Sequence, residues 1–271
     1  LAEIDHMVDV LHARPLPLLL RAPEQFHIPA LRALMAEAKA RLDSGCGFAV
    51  VDALPMDAHA SEDMIACFWT LGQCVERTVA QKWDGTMIYD VTDTGRDYGY
   101  GVRGSHTRVE LVFHTDNAFG VALPDYVGLL CKYPAARGGV SRFASVYTIH
   151  NRMLTHHRAL LERLYRPMLF DRQAEHAPGA APTAWAPFFV WDGQRLTARA
   201  NVSLVRKGYE VAGVELDAEL EDALSAVEAE ANSEAFWAEA PIRRGQLQYL
   251  NNRELVHYRS AFTDAGDPAR R

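Results

Sequence analysis

Apolar positions recur at helical spacing from Pro29 to Leu42 (PALRALMAEAKARL), a stretch that opens on Pro and closes at Asp43-Ser44-Gly45, so a helix with start and stop signals is expected there. Gly47–Leu54 (GFAVVDAL) has the length and continuity of a buried strand. A second helical period opens at Ser61 and Glu62 and runs to about Gln81, carrying Ile65, Phe68, Trp69 and Leu71. Beyond it the signal changes. Met87–Val91, Arg108–His114, Tyr126–Tyr133, Ser141–Ala144, Phe188–Trp191, Arg195–Arg206 and Gln246–Leu250 are short β-type segments separated by Gly, Pro, Asp and Asn. Helical periods interrupt them over Val146–Tyr165 and over Asp217–Trp237, the latter carrying Leu220, Leu224, Val227 and Phe236. Many short strands at this spacing predict a mixed β fold with flanking α-helices: a core of two antiparallel sheets, sandwich or barrel, inside a shell of helices. Asp171–Pro187 is rich in Ala and Pro without a period and predicts a long loop or flap.

The 271 residues are read as a single domain, with residues 1–85 packing N-terminal helices and a strand on a core that occupies 86–271. Thirty-five acidic against 28 basic side chains give a formal charge of −7, with the signs interspersed, which argues against a nucleic-acid surface. The longest apolar runs, Pro15–Leu20 and Val127–Cys131, fall far short of the roughly 18 residues a bilayer span needs, so no membrane partner is expected. Cys46, Cys67, Cys74 and Cys131 have no C-x-x-C spacing. Together with a start lacking the basic-then-apolar order of a secretory signal, they point to thiols in a reducing cytoplasm.

Most of the eleven histidines (among them His6, His12, His27, His59, His156, His157 and His176) lie in helical or loop contexts without a spaced carboxylate. His114 differs. In R-V-E-L-V-F-H-T-D, Arg108–Asp116, strand alternation would project Glu110, Val112, His114 and Asp116 to one face. A His-x-Asp pair joined by one distant histidine supplies three ligands to one side of a metal, the donor set of non-haem Fe(II) oxygenases. Near the C-terminus, Gly245–Phe262 reads G-Q-L-Q-Y-L-N-N-R-E-L-V-H-Y-R-S-A-F: a strand, a turn at Asn251-Asn252, then His257 with Arg259 two positions on.

H-T-D-N in the middle, G-G-V-S with its Ser 27 positions after His114, and N-N-R-x-x-x-H-x-R-x-x-F near the end, in this order and spacing, resemble the taurine dioxygenase and clavaminate synthase-like family of Fe(II)- and 2-oxoglutarate-dependent oxygenases. The likeness extends from about Gly47 to the last residue. It implies a double-stranded β-helix, or jelly-roll, core with iron held by His114, Asp116 and His257. It further implies that Ser141 hydrogen-bonds the 2-oxoglutarate carboxylate and that an Arg thirteen or fourteen positions past His257, Arg270 or Arg271, anchors that cosubstrate. A guanidinium offers a carboxylate two parallel N–H donors where lysine offers a point charge. Arg271 is preferred because the family's Arg directly precedes an apolar core strand, here expected beyond residue 271. The implied reaction consumes 2-oxoglutarate and O2, releases succinate and CO2, and hydroxylates, desaturates or cyclises a small molecule. Asp116 stands where halogenating relatives lack a carboxylate, so halogenation is disfavoured.

Several residues are candidates for the substrate. Glu110 would pair with an amine or guanidine group, or else with Arg103 or Arg108, which suggests an amino acid or amine derivative. Tyr100 and Arg103 lie in Asp97–Gly104, Gly-rich and aromatic as a substrate loop would be, with no strand-to-helix phosphate cradle. Asn117 would bind substrate or cap the turn after Asp116, and Arg199 and Asn201 stand on the polar face of the 195–206 segment. A homo-oligomer is compatible with this reading. The rival is a non-catalytic or hydrolytic cupin-type metal-binding protein, which would keep the three ligands but have no use for Ser141 and a correctly spaced Arg.

Overall fold

Residues 1–97, 99 and 101–264 are described by a computed structural model. Helices α1 (Ala2–Ala13) and α2 (Pro29–Ser44) precede β1 (Phe48–Val51), and α3 (Ser61–Val75) follows it. Then come β2 (Leu111–His114), β3 (Tyr126–Leu130), β4 (Arg137–Gly138), β5 (Ser141–Ser145), α4 (Val146–His156) and α5 (Arg158–Leu164). Two hairpins follow, β6 (Met168–Asp171) with β7 (Thr183–Ala186) and β8 (Phe189–Trp191) with β9 (Leu196–Ala198). The chain continues through α6 (Val202–Ala212), α7 (Ala218–Ala231), β10 (Trp237–Ala240), β11 (Leu247–Asn251), β12 (Leu255–Arg259) and β13 (Phe262–Thr263).

One antiparallel sheet runs β1-β11-β3 and the other β10-β5-β12-β2. They face each other: Phe48 of β1 stacks on Phe143 of β5 at 4.6 Å, and the Ser141 hydroxyl donates to Gln248 Oε1 of β11 at 3.0 Å. Side-chain parity then assigns each strand residue a layer. Leu247 and Tyr249 point outward into a cluster with α1, α2 and α3. Phe113, Ala144, Val256 and Tyr258 point outward into the largest cluster, which holds α4 to α7 and the two hairpins. Between the sheets Phe143, Ala240, Leu250 and Leu255, with Phe48 and Val127, form an apolar plug. The inner positions beyond it carry His114, Ser141, His257 and Arg259, so the space between the sheets is apolar at one end and polar at the other.

Several expectations are corrected. Met87–Val91 has no ladder partner among the described residues and is irregular, and β2 begins at Leu111 instead of Arg108. Arg195–Arg206 holds only the short β9; Asn201 then caps α6, its side chain accepting from Leu204 N at 3.0 Å. Buried Val202, Val205 and Tyr209 sit at i, i+3 and i+7 there, a period that alternation over a few residues cannot be told from. Asp217–Trp237 splits into α7 and the strand β10, where Trp237 packs 4.2 Å from the Arg142 guanidinium. The 146–165 helix breaks at His157 (φ −138), and α3 stops at Val75. The end of the 171–187 flap is the four-residue β7, paired in register with β6, whose three apolar residues are too few to signal a strand.

Among the described residues no helix is long and apolar enough to cross a membrane. All four cysteines are free, and burial pushes the thiols of Cys67 and Cys131 up to about 12 and about 11, which leaves them protonated and unreactive.

Gly208 of α6 crosses β6 so closely that a Cβ would lie 2.8 Å from Leu169 O, Phe170 C and Asp171 N, all backbone. Gly208→Ala is expected to destabilise by about 1–3 kcal/mol through overpacking. Gly72→Ala, in the last turn of α3 with only the Tyr249 hydroxyl near, at 3.8 Å, is expected to stabilise by about 0.5–1 kcal/mol. Denaturant midpoints of the two variants should therefore move in opposite directions.

Candidate metal centre

β12 pairs with β2 so that His257 stands directly opposite His114, and both side chains point between the sheets. Their ring centroids are 4.2 Å apart. Asp116, two residues past the end of β2, turns back so that its Oδ1 lies 3.6 Å from Nε2 of each histidine. All three ligand atoms fall within 4.8 Å of one another. A cation bonded at about 2.1 Å to each would hold them about 3 Å apart, so a small contraction completes the site.

The protonation states suit a cation. His114 Nδ1 lies 2.8 Å from Val112 O, a partner it meets as a donor, which leaves Nε2 as the free lone pair. Burial, then the charge of His114, lower the His257 pKa against the opposing pull of Asp116, so the imidazole is neutral at pH 7. For Asp116, enclosure alone would raise the pKa, but the two histidines beside it outweigh that and hold the carboxyl well below its ordinary range. Two imidazoles and an ionised carboxylate on one side of a cavity are what a divalent transition metal with open coordination positions requires.

Two buried side chains hold these ligands in place. Asn252, completely buried, accepts from Asp116 N at 2.8 Å and donates to Asp116 O and Pro124 O, both at 3.1 Å. It thus pins the metal-facing turn through the peptide groups on both sides of Asp116. Arg259 sends Nη2 toward Gly104 O, Thr107 O and Val109 O at 3.4, 2.7 and 2.7 Å, at a β-bulge between His257 and Arg259. Those carbonyls are withdrawn from strand pairing, which is why β2 starts at Leu111. Burial, opposed by Asp264 and Asp93, pushes the Arg259 pKa down to about 10, and it stays charged at pH 7. Neither role was foreseen from the sequence. Asn252 could be read only as half of a turn, and Arg259 only as a motif position.

The remaining candidates are dispersed. Ser141 faces inward, is the register partner of Arg259, and donates to Gln248. Glu110 does not share the face of His114: it precedes the first residue of β2, is exposed, and accepts from the Tyr258 hydroxyl on the outer face. Burial and that bond push Tyr258 up to about 12. Nor does Glu110 pair with Arg103, whose Nε lies 3.3 Å from Glu175 Oε1 while Nη2 donates to Gln81 O at 3.3 Å. Asn117 adopts a left-handed backbone (φ 56), forms the turn closed by Gly120 N, and lines a cavity next to the ligands. Arg199 bonds the carbonyls of that turn, and Asn201 is spent as the cap of α6. Tyr100, Arg270 and Arg271 lie outside the described residues.

The family model described as taurine catabolism dioxygenase TauD, TfdA family matches residues 12–271. No curated protein sequence matches. Among solved structures the fold is similar to asparagine oxygenase in complex with Fe(II), 2S,3S-3-hydroxyasparagine and succinate, at 19% identity and TM-score 0.72, with 98% of this chain and 88% of that one covered. It is also similar to the non-heme iron oxygenase OrfP in complex with Fe and alpha-ketoglutaric acid, at 13% identity and TM-score 0.67 over the same shares, 98% and 88%.

His257→Ala is expected to abolish metal binding at micromolar Fe(II) or Co(II), measured by calorimetry or by the visible Co(II) spectrum. Asn252→Ala leaves all three ligands in place and is expected to weaken the metal by about 10–100-fold, the usual effect of losing a group that orients a ligand.

Proposed function

The chain belongs to the taurine catabolism dioxygenase TauD, TfdA family, and we propose that it hydroxylates a C–H bond of a small amino acid or amine derivative. It is a non-haem iron dioxygenase that uses 2-oxoglutarate. His114, Asp116 and His257 would hold the iron, and their convergence is the observation that carries this reading. Bound there, Fe(II) with 2-oxoglutarate and O2 supplies oxidative decarboxylation, giving succinate and CO2, coupled to insertion of one oxygen atom into the C–H bond.

The protein's own part is to orient and enclose. The two facing sheets are read as a double-stranded β-helix, with residues 1–271 as one oxygenase domain. Ser141 would offer its hydroxyl to the 2-oxoglutarate carboxylate by leaving Gln248, and Arg271, or else Arg270, would bind the distal carboxylate. Asn252 keeps the Asp116 peptide from shifting when the metal changes its other ligands. An amino-acid substrate is supported by the solved relatives, asparagine oxygenase with 3-hydroxyasparagine and OrfP with (3S)-hydroxy-L-Arg. The metal-binding or hydrolytic alternative has no observation in its favour.

Anaerobic protein given Fe(II) and then 2-oxoglutarate is expected to develop the weak visible charge-transfer band of the chelate, and to release succinate under O2. Iron binding with neither band nor succinate would reject the assignment. Arg271→Ala should retain iron and raise the 2-oxoglutarate Kd by at least about tenfold, in line with roughly 1.5–3 kcal/mol for a charged hydrogen-bond pair. If only Arg270→Ala does so, the anchor moves one residue.

A further inference from the structure

Past Asp116 the turn at Asn117 opens onto a cavity of about 450 Å³ whose charge runs against that of the whole protein. Lys82, Arg172 and Arg199 line it, with Glu175 its one carboxylate. Glu175 is already committed: Oε1 pairs with Arg103 at 3.3 Å, both side chains being largely buried (13% and 15% exposed), and Oε2 accepts from Trp83 N at 3.2 Å. None of the three cations is within salt-bridge distance of a carboxylate among the described residues, and Asp84, which feels the Lys82 charge, does not line the cavity. The Lys82 ammonium lies 5.1 Å from the centre of the Tyr89 ring, and Arg172 Nη1 donates to Ala181 O at 3.1 Å. Arg199 donates through Nη1 to Ala118 O and Gly120 O at 2.8 and 2.6 Å and through Nη2 to Val121 O at 3.3 Å.

A chain of net charge −7 thus brings three positive side chains to one concave wall and leaves them unneutralised. Such an arrangement focuses a positive potential into the cavity and is relieved by an anion. Carbonyl bonds fix the guanidinium of Arg199 without supplying negative charge, so it stays available to a planar oxyanion. The cavity is also within reach of the metal centre. Asn117, the residue after Asp116, lines it, and Tyr89, under Lys82, lies in the field of Asp116.

Resting on the oxygenase reading above, we infer that the substrate carries an anionic oxygen group, carboxylate or phosphate, at the end remote from the reacting C–H bond, seated among Lys82, Arg172 and Arg199. This reverses the preference for a cationic substrate that Glu110 suggested, since Glu110 lies on the outer face and bonds Tyr258. It also sets the chain apart from the two relatives solved with hydroxyasparagine and hydroxy-arginine.

Trp83 and Trp185 stand at the cavity, 55% and 65% exposed, and serve as fluorescent reporters. The protein loaded anaerobically with Fe(II) and 2-oxoglutarate is titrated with L-aspartate, L-glutamate, O-phospho-L-serine, L-asparagine, L-lysine and L-arginine. At least one acidic probe should bind tenfold or more tightly than the amide and cationic probes, with the carboxylate and phosphate arms telling which group is read. Lys82→Gln and Arg172→Gln, which remove one ring contact and one carbonyl bond and so leave the fold intact, should each weaken that probe at least about fivefold. Equal or tighter binding of lysine, arginine or asparagine, no binding of any acidic probe, or full affinity in both variants would overturn the inference. The charge-transfer band, recorded on the same samples, separates the two levels. A band without acidic preference rejects only the charge assignment, whereas loss of the band rejects the oxygenase reading beneath it.

Discussion

Two histidines 143 positions apart can share one ion only if their strands are neighbours and in register, because a slip of one residue would send one imidazole to the opposite face of the sheet. The antiparallel pairing of β12 with β2, His257 against His114, is the constraint on which the rest depends. It is held from both sides. β5 fixes β12 through five consecutive register pairs, and the outer cluster locks Phe113 and Tyr258 against the helices. What lies outside the four-stranded sheet therefore sets what points into it.

The carboxylate arrives by a different route. Asp116 is not in a strand, so sheet register cannot aim it; a buried amide does so instead, with Asn252 bonding both its N–H and its C=O. Because Asn252 leads into β12, the segment that positions one histidine also positions the acid. Arg259, at the far end of the same strand, gathers the carbonyls ahead of β2 and thereby positions the other histidine. One strand and its flanks thus control the geometry of ligands drawn from two distant parts of the chain.

Charge is distributed with a similar economy. Around the metal centre the two imidazoles hold the acid ionised, whereas the adjoining cavity brings three cations to one wall. A site that binds iron and an acidic cosubstrate next to a positive wall draws small anions in while its own carboxylates stay committed, Asp116 to the histidines and Glu175 to Arg103.

By itself the sequence determined the donor set and its order. His114, Asp116 and His257 were legible because the H-x-D and N-N-R-x-x-x-H-x-R motifs, in their order and spacing, resemble those of an oxygenase family, and the two-sheet plan was legible because many short strands between turn residues favour a sandwich or barrel core. Only the tertiary structure decided where each pattern stops. Glu110 has the parity of His114 but falls outside the ladder once Arg259 takes the carbonyls before Leu111, so its side chain turns to the outer face. The polar alternation from Arg195 broke into β9 and α6 because burial of Val202, Val205 and Tyr209 outweighs a period that four residues cannot define. The meeting of Lys82, Arg172 and Arg199 has no local signature, since charges from three separate segments become neighbours only when the chain closes around a shared cavity.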